Sequence, residues 1–585
     1  PGRPFLSLGR GRGRYESSHG SFKIGEEALE LEEAARFSLL ESGPERLVIL
    51  FPGLCKSVFS IREGRLSLRF EEFPPESNRL ILRLAARPGE RIYGCGEQYS
   101  YLDLKGRLMP LWTEEQGVGR GPNLIKFAAE LAMGAGGTRY STYYPLPVFI
   151  SSAGYSCSAS TTAFARFDFR APAAHVLSFW EIPSELLIDV EPSLPSLVSR
   201  LSELEGRQPE IPAWAMGGLI LGAQGGAEAA LEKLAKLRAA GAAVTGLWTQ
   251  DWCGRRVTSF GKQLMWNWEA DPSLYPDLPA FSSRLAGEGV RLLGYINPFL
   301  ALEGRLYREA SARGFCVRRR DGGEYLATVT SFPAAMVDLS NPEAFAWIKA
   351  VIKEKLIGAG LSGWMADFGE YLPVDAVLFS GESGETAHNA YPALWARANY
   401  EAVAEAGKLG EVFFFCRSGH RGSSRCVPSF WAGDQLVNWN RDDGLPSVLP
   451  AALSLGLSGV GSWHSDLGGY TTVGYLHRSS ELLLRWAELA AFTPVMRSHE
   501  GNRPEANRQI WDSGSALEKI ARLSRLHAAL APYSRAVMRE CRETGLPAMR
   551  PLFLHYQEDA ACSGVEDEYL YGRDLLVAPV MRRGA

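Results

Sequence analysis

The 585 residues exceed what one ordinary hydrophobic core organises, so a catalytic-sized domain with accessory modules is expected. Hydrophobic residues make up 46% and charged residues 22%, the balance of a folded globular chain and not of a disordered or fibrous one. The 62 Lys and Arg nearly offset the 66 Asp and Glu, and no long basic run appears, which argues against the phosphate-neutralising surface of a nucleic-acid binder.

The nine cysteines are scattered singly with no CxxC, so neither a metal site nor a disulfide framework is expected, and a reducing, cytoplasmic setting fits best. No apolar run approaches the roughly 20 residues that cross a bilayer. Residues 1–8 also lack the apolar core of a secretory signal, so no membrane partner is expected. The chain does not begin with Met, and homo-oligomerisation is left open.

From residue 46 to about 188, short β-rich runs (46–51, 79–84, 144–151 and 175–179) alternate with Gly, Pro and Ser, the signature of a β-sandwich. The polar segment 207–212, with two prolines, reads as the linker that ends it. Beyond it, strands alternate with helices, which predicts parallel strands with crossover helices. Eight strand candidates (217–221, 244–249, 291–296, 363–366, 411–416, 429–432, 460–463 and 492–496) predict a closed (β/α)8 barrel. Apolar residues at helical spacing mark 227–239, 342–356, 390–406 and 481–490 as helices between them. After a further helix at 516–529, runs 549–555 and 569–580 return to strand character. They open a C-terminal β-domain that is expected to be truncated, because the chain stops where a strand pair would continue. The expected divisions are 1–206, 207–545 and 546–585.

Active sites of such barrels assemble at the C-terminal ends of the strands. Here those ends carry Gln224, Gln250 with Asp251, Asn297, Asp367 with Glu370, Arg417, Asp434, His464 with Asp466, and Arg497 with His499. Aromatic residues crowd the same ends: Trp252, Trp266, Trp268, Trp364, Trp431, Trp463 and Tyr470. Carboxylates beside aromatic platforms suit a sugar, which offers hydroxyls to bind and apolar C–H faces to stack. The histidines lie too far apart in sequence to suggest a metal cluster, and no Gly-rich phosphate loop is visible. By chemistry alone, Asp367 and Glu370 are both candidate nucleophiles, and Asp434 after Gly433 could cap a turn.

Four motifs carry a resemblance. Gly363-Trp-Met-Ala-Asp367-Phe-Gly-Glu370, Trp431-Ala-Gly-Asp434-Gln435, His464-Ser-Asp466-Leu-Gly-Gly-Tyr470 and Arg497-Ser-His499-Glu500-Gly-Asn-Arg-Pro504 resemble, in order, segments of glycoside hydrolase family 31, most closely its sulfoquinovosidase members. That resemblance implies a galactose-mutarotase-like sandwich before the barrel and a retaining α-glycosidase needing no cofactor. Asp367 becomes the nucleophile and Asp434 the general acid/base, with Glu370 in a supporting role. Gln224, Gln250, Asp251, Arg417, Asp466 and His499 then hold the sugar in the cleavage subsite.

The implied substrate is a small α-sulfoquinovoside such as sulfoquinovosyl glycerol, with a neutral α-glucoside or α-xyloside as the alternative and a non-catalytic carbohydrate-binding relative as a further one. Trp266 and Tyr470 match positions that contact the sulfonate. One departure stands out: the pattern has an Arg three residues before that Trp, and this chain has Gln263. Arg255, Arg256 or Lys262 is then expected to supply the missing cation.

Overall fold

The computed structural model describes residues 4–258, 260–329 and 331–585. The N-terminal part is two antiparallel sheets of six and eight strands, stacked face to face. Leu6, Leu80, Leu82, Phe167 and Phe179 from one sheet meet Phe51, Leu68, Phe149 and Leu186 from the other in a dry core. The runs expected at 46–51 and 79–84 form as Arg46–Phe51 and Arg79–Ala85.

A long hairpin, Leu6–Ser18 with Ser21–Glu33, precedes the first strand expected from sequence. Its charged, half-exposed strands carry little apolar alternation. The two-residue tip, His19 (φ 51°) and Gly20 (φ 77°), has the left-handed backbone that matches the twist of paired strands.

The barrel strands are β1 (Leu219–Gly222), β2 (Val244–Trp248), β3 (Arg291–Ile296), β4 (Gly363–Ala366), β5 (Phe413–Cys416), β6 (Ser429–Trp431), β7 (Trp463–His464 and Asp466–Leu467) and β8 (Met496–Ser498). All neighbours are parallel, and β8 closes the ring on β1 through Leu219 opposite Met496. β7 is broken at Ser465: its first half pairs with β6 and its second with β8.

Two strands lie further along the chain than the sequence suggested. Val460 and Phe492 still belong to the turns that end helices Val448–Leu457 and Ser480–Ala490, donating to Leu455 and Leu489. As a result Asp466 and Arg497 sit inside strands and not beyond them.

The C-terminal runs also differ from expectation. Pro551 has no N–H to continue a ladder, so strand Met549–Arg550 gives way to a 3-10 turn at Leu552–Leu554. The run 569–580 folds as a hairpin, Tyr569–Tyr571 with Leu575–Val577, turning at Gly572 (φ 65°). No helix among the described residues is long and apolar enough to cross a membrane.

The sandwich and the barrel are bonded to one another. Gly96 and Gln98 donate their N–H groups to Ser458 and Ser454, at 2.9 and 2.8 Å, and Trp463 Nε1 donates to Glu97 at 2.7 Å. This seam places loops of the sandwich over the C-terminal ends of the barrel strands.

Candidate active site

A cavity of about 660 Å³ opens at those strand ends. Of the residues expected from sequence, Gln250, Gln263, Trp266, Asp367, Arg417, Asp434, Tyr470 and His499 line it. Gln224, Asp251 and Asp466 lie behind its wall.

Asp367 follows β4 directly. Its Oδ2 accepts from Tyr295 Oη at 2.6 Å, while Oδ1 accepts from the Phe368 N–H at 2.8 Å and lies 3.2 Å from Arg417 Nε. Asn297 in turn donates to Tyr295 Oη at 3.1 Å, which fixes the phenol. One carboxylate oxygen pair is thereby aimed, on strand-end scaffolding, into the cavity.

Asp434 stands after β6 in a turn that needs Gly433: at φ 75°, a Cβ there would overlap the Tyr143 ring. Its backbone carbonyl accepts from Gln116 Nε2 at 2.5 Å and Thr471 Oγ1 at 2.9 Å. Its carboxyl meets Arg417 Nη1 at 3.2 Å. Partial burial in the cavity wall, aided by the negative charges of Glu115, Asp367 and Asp466 and opposed by Arg417, pushes this carboxyl well above the usual range. A carboxyl biased toward its protonated form is what a general acid requires.

Arg417 is therefore the hub of the site. It is 1% exposed, lies against the faces of Phe368 and Tyr143, and also bonds Glu370 at 2.5 Å and Glu115 at 2.8 Å. Glu370 is wholly buried away from the cavity, and burial moves its carboxyl up to about 7. That position suits a partner of Arg417, not an attacking group.

His499 Nδ1 accepts the Gly501 N–H at 2.9 Å, and burial holds the ring neutral. Nε2 then carries the proton, leaving a donor for a sugar hydroxyl. Asp466 forms a completely buried ion pair with Arg497, which lies over the rings of Trp248 and Phe415. Arg497 also donates to His464 Nε2 at 3.2 Å, which assigns His464 to the wall. Asp251 accepts from Tyr275 Oη and the Gly225 N–H, both at 2.8 Å, and so braces the β1 and β2 loops. The Gln224 N–H donates to Glu500 at 2.7 Å.

Most of the aromatic crowd is structural. Trp252, Trp268 and Trp364 donate their indole N–H groups to Tyr295 O, Phe299 O and Asn399, at 2.8, 2.9 and 2.8 Å, and pack in the core. Trp266 is the tryptophan that reaches the cavity, stacked on Phe299 at 5.5 Å and edge-on to Phe368 at 5.4 Å. Trp266 (φ 51°), Trp268 (φ 51°) and Phe368 (φ 61°) all hold left-handed backbone, which for bulky side chains costs on the order of 1–3 kcal/mol each. Trp266 and Phe368 line the cavity, so strain in its wall marks a preset shape.

Around Gln263 the expected cations separate. Arg256 turns away, bonded to Met265 O at 3.0 Å and Glu303 at 2.6 Å and stacked on Phe332. Arg255 is exposed on the outer strand of the hairpin Arg255–Thr258 with Gly261–Leu264. Lys262 lines the cavity and pairs with Glu505, and Arg503 lines it beside them.

Sequence reasoning missed Arg503 as a cation. It also missed Tyr295, which the strand run at 291–296 already contained. Glu115, His19 and helix Leu124–Met133 come from the sandwich, so barrel logic gave no signal for them.

A parallel barrel whose strand ends converge carboxylates on one arginine, in a cavity lined also by Trp266, Phe368 and Tyr470, is an arrangement suited to a glycoside hydrolase. The glycosyl hydrolases family 31 TIM-barrel domain matches residues 208–535, and the family's C-terminal domain matches 545–585. This chain belongs to glycoside hydrolase family 31. It is 45% identical to a sulfoquinovosidase of Escherichia coli (strain K12), across 99% of this chain and 86% of that protein. Identity to a sulfoquinovosidase of Agrobacterium fabrum (strain C58) is 42%, across 100% and 88%. Among solved structures, a family 31 sulfoquinovosidase from E. rectale in complex with the aza-sugar inhibitor IFGSQ superposes with a TM-score of 0.98 at 42% identity, covering 100% of this chain and 88% of that one. An α-xylosidase from a soil metagenome, complexed with xylose, shares the fold at 21% identity and a TM-score of 0.74.

Proposed function

We propose that the chain is a retaining α-sulfoquinovosidase that releases sulfoquinovose from small α-sulfoquinovosides such as sulfoquinovosyl glycerol. The observation that carries this reading is Arg417 bridging Asp367 and Asp434 beside a cavity end built from Trp266, Tyr470, Gln263, Lys262 and Arg503. The names of the similar proteins support the same substrate class.

In the first step Asp367 attacks the anomeric carbon as Asp434 protonates the leaving oxygen, forming a β-glycosyl ester. In the second, Asp434 takes a proton from water, which displaces Asp367. Two inversions return the α-configuration. His499, Gln250 and Arg417 face the sugar hydroxyls, while Gln224, Asp251 and Asp466 hold the wall behind them. The same reading divides the chain into a sandwich at 1–206, a catalytic barrel at 207–545 and the start of a β-domain at 546–585.

A sulfonate is ionised at neutral pH, and burying it calls for charge-assisted donors, each worth about 1.5–3 kcal/mol against roughly 0.5–1.5 for a neutral amide. Lys262 and Arg503 fill the role that Gln263 alone cannot. Comparing kcat/KM for paired aryl α-sulfoquinovoside and aryl α-glucoside tests the assignment. A preference for the sulfonated sugar is expected; a preference for the glucoside would make the enzyme a neutral α-glucosidase.

A further inference from the structure

Glu115 is a carboxylate of the cavity that belongs to the sandwich and not to the barrel. Its N–H donates to Gly20 O at 2.9 Å, so the tip of the N-terminal hairpin holds its backbone. Its side chain, 17% exposed, gathers donors from three other segments: Arg417 Nη2 at 2.8 Å, Tyr371 Oη at 3.3 Å and Tyr143 Oη. The next residue, Gln116, holds the Asp434 carbonyl.

We infer that Glu115 is a positioning residue for Asp434: it draws Arg417 toward the sandwich and, by its negative charge, keeps the proton on the acid. This rests on Asp434 being the general acid. The charged and titratable groups facing Asp434 are Arg417 after β5, Glu115 and Tyr143 from the sandwich, Asp367 after β4, Asp466 and Tyr470 around β7, and Arg497 on β8. Of the carboxylates among them, Asp367 is the nucleophile and Asp466 is sealed to Arg497. Glu115 is the one that can change without dismantling the chemistry.

The sign follows from electrostatics. Glu115→Gln keeps the shape and one of the two accepting oxygens but removes one negative charge, and it leaves Arg417 freer to favour ionised Asp434. Both effects make Asp434 a stronger acid. A general acid works only while protonated, so kcat/KM on a substrate with a poor leaving group falls as pH rises through the Asp434 titration. In Glu115→Gln that basic limb should move to lower pH by about one unit, a roughly tenfold deficit at any pH above both limbs. Glu115→Asp, which retains the charge, should keep the limb within about 0.3 units of wild type. Glu115→Ala removes the same charge and takes the place of Glu115→Gln if the latter does not fold.

A basic limb unmoved by either neutral variant, whatever the change in overall rate, overturns the assignment and leaves Glu115 as a structural contact. Failure of the underlying reading looks different: Asp434→Ala would then retain a wild-type basic limb.

Discussion

Arg417 and Asp434 meet through Nη1 and Oδ2 at 3.2 Å in the wall of the cavity that Asp367 also lines. The same guanidinium neutralises Glu370, which is fully buried. Breaking a buried pair from one side costs about 3–5 kcal/mol, because the remaining charge has lost its partner. Arg417→Met is therefore expected to lower the unfolding free energy by about that amount, read by denaturant titration. Arg417→Lys, a point charge without the planar fork, should keep part of the stability and lose most of the activity.

Asp434→Ala should slow cleavage of substrates with poor leaving groups far more than those with very good ones, because the latter need little protonation. Azide should rescue the second step by attacking the β-glycosyl ester on Asp367, and so yield an α-glycosyl azide. Equal loss on all leaving groups, with no rescue, would assign the proton to another residue.

Tyr295 donates to Asp367 at 2.6 Å, a hydrogen bond to a carboxylate of the kind worth about 1.5–3 kcal/mol. Tyr295→Phe removes the hydroxyl and keeps the ring. Expected is a roughly 10- to 100-fold loss in kcat/KM, by about 1.4 kcal/mol per decade, with the sulfoquinovoside-to-glucoside ratio unchanged. A shift in that ratio would mean the phenol also sets sugar choice.

Much of this was legible in the sequence, and the limits have physical causes. Asp367, Arg417 and Asp434 end strands whose apolar runs are unmistakable, so their convergence followed from barrel geometry. Asp466 and Arg497 were misplaced relative to β7 and β8 because Val460 and Phe492 look like strand residues yet close helix turns. Tryptophans gave a false signal of stacking platforms, since an indole whose N–H finds an acceptor packs in a core as readily as it lines a pocket. Glu115 and His19 lay beyond reach, because no local pattern says that a sandwich loop will cover a barrel mouth well over a hundred residues away in sequence.

The cationic end separates two sets of residues. Alanine at Lys262 or Arg503 should lower kcat/KM on the sulfonated substrate by about tenfold or more and leave an aryl α-glucoside nearly unaffected. Arg255→Ala and Arg256→Ala, outside the cavity, should leave the ratio between the two substrates where it is. Gln263→Arg should raise it. If neither Lys262→Ala nor Arg503→Ala moves the ratio, the cation that reads the sulfonate lies elsewhere.

The most direct test is covalent trapping with a fluorinated α-sulfoquinovosyl donor, followed by peptide mapping. One sugar per chain should be captured, on Asp367, and the fluorinated glucosyl counterpart at matched concentration should label far more slowly. Labelling of Glu370 or any other residue, or faster capture of the glucosyl donor, would contradict the assignment of Asp367 and of the sulfonated sugar respectively.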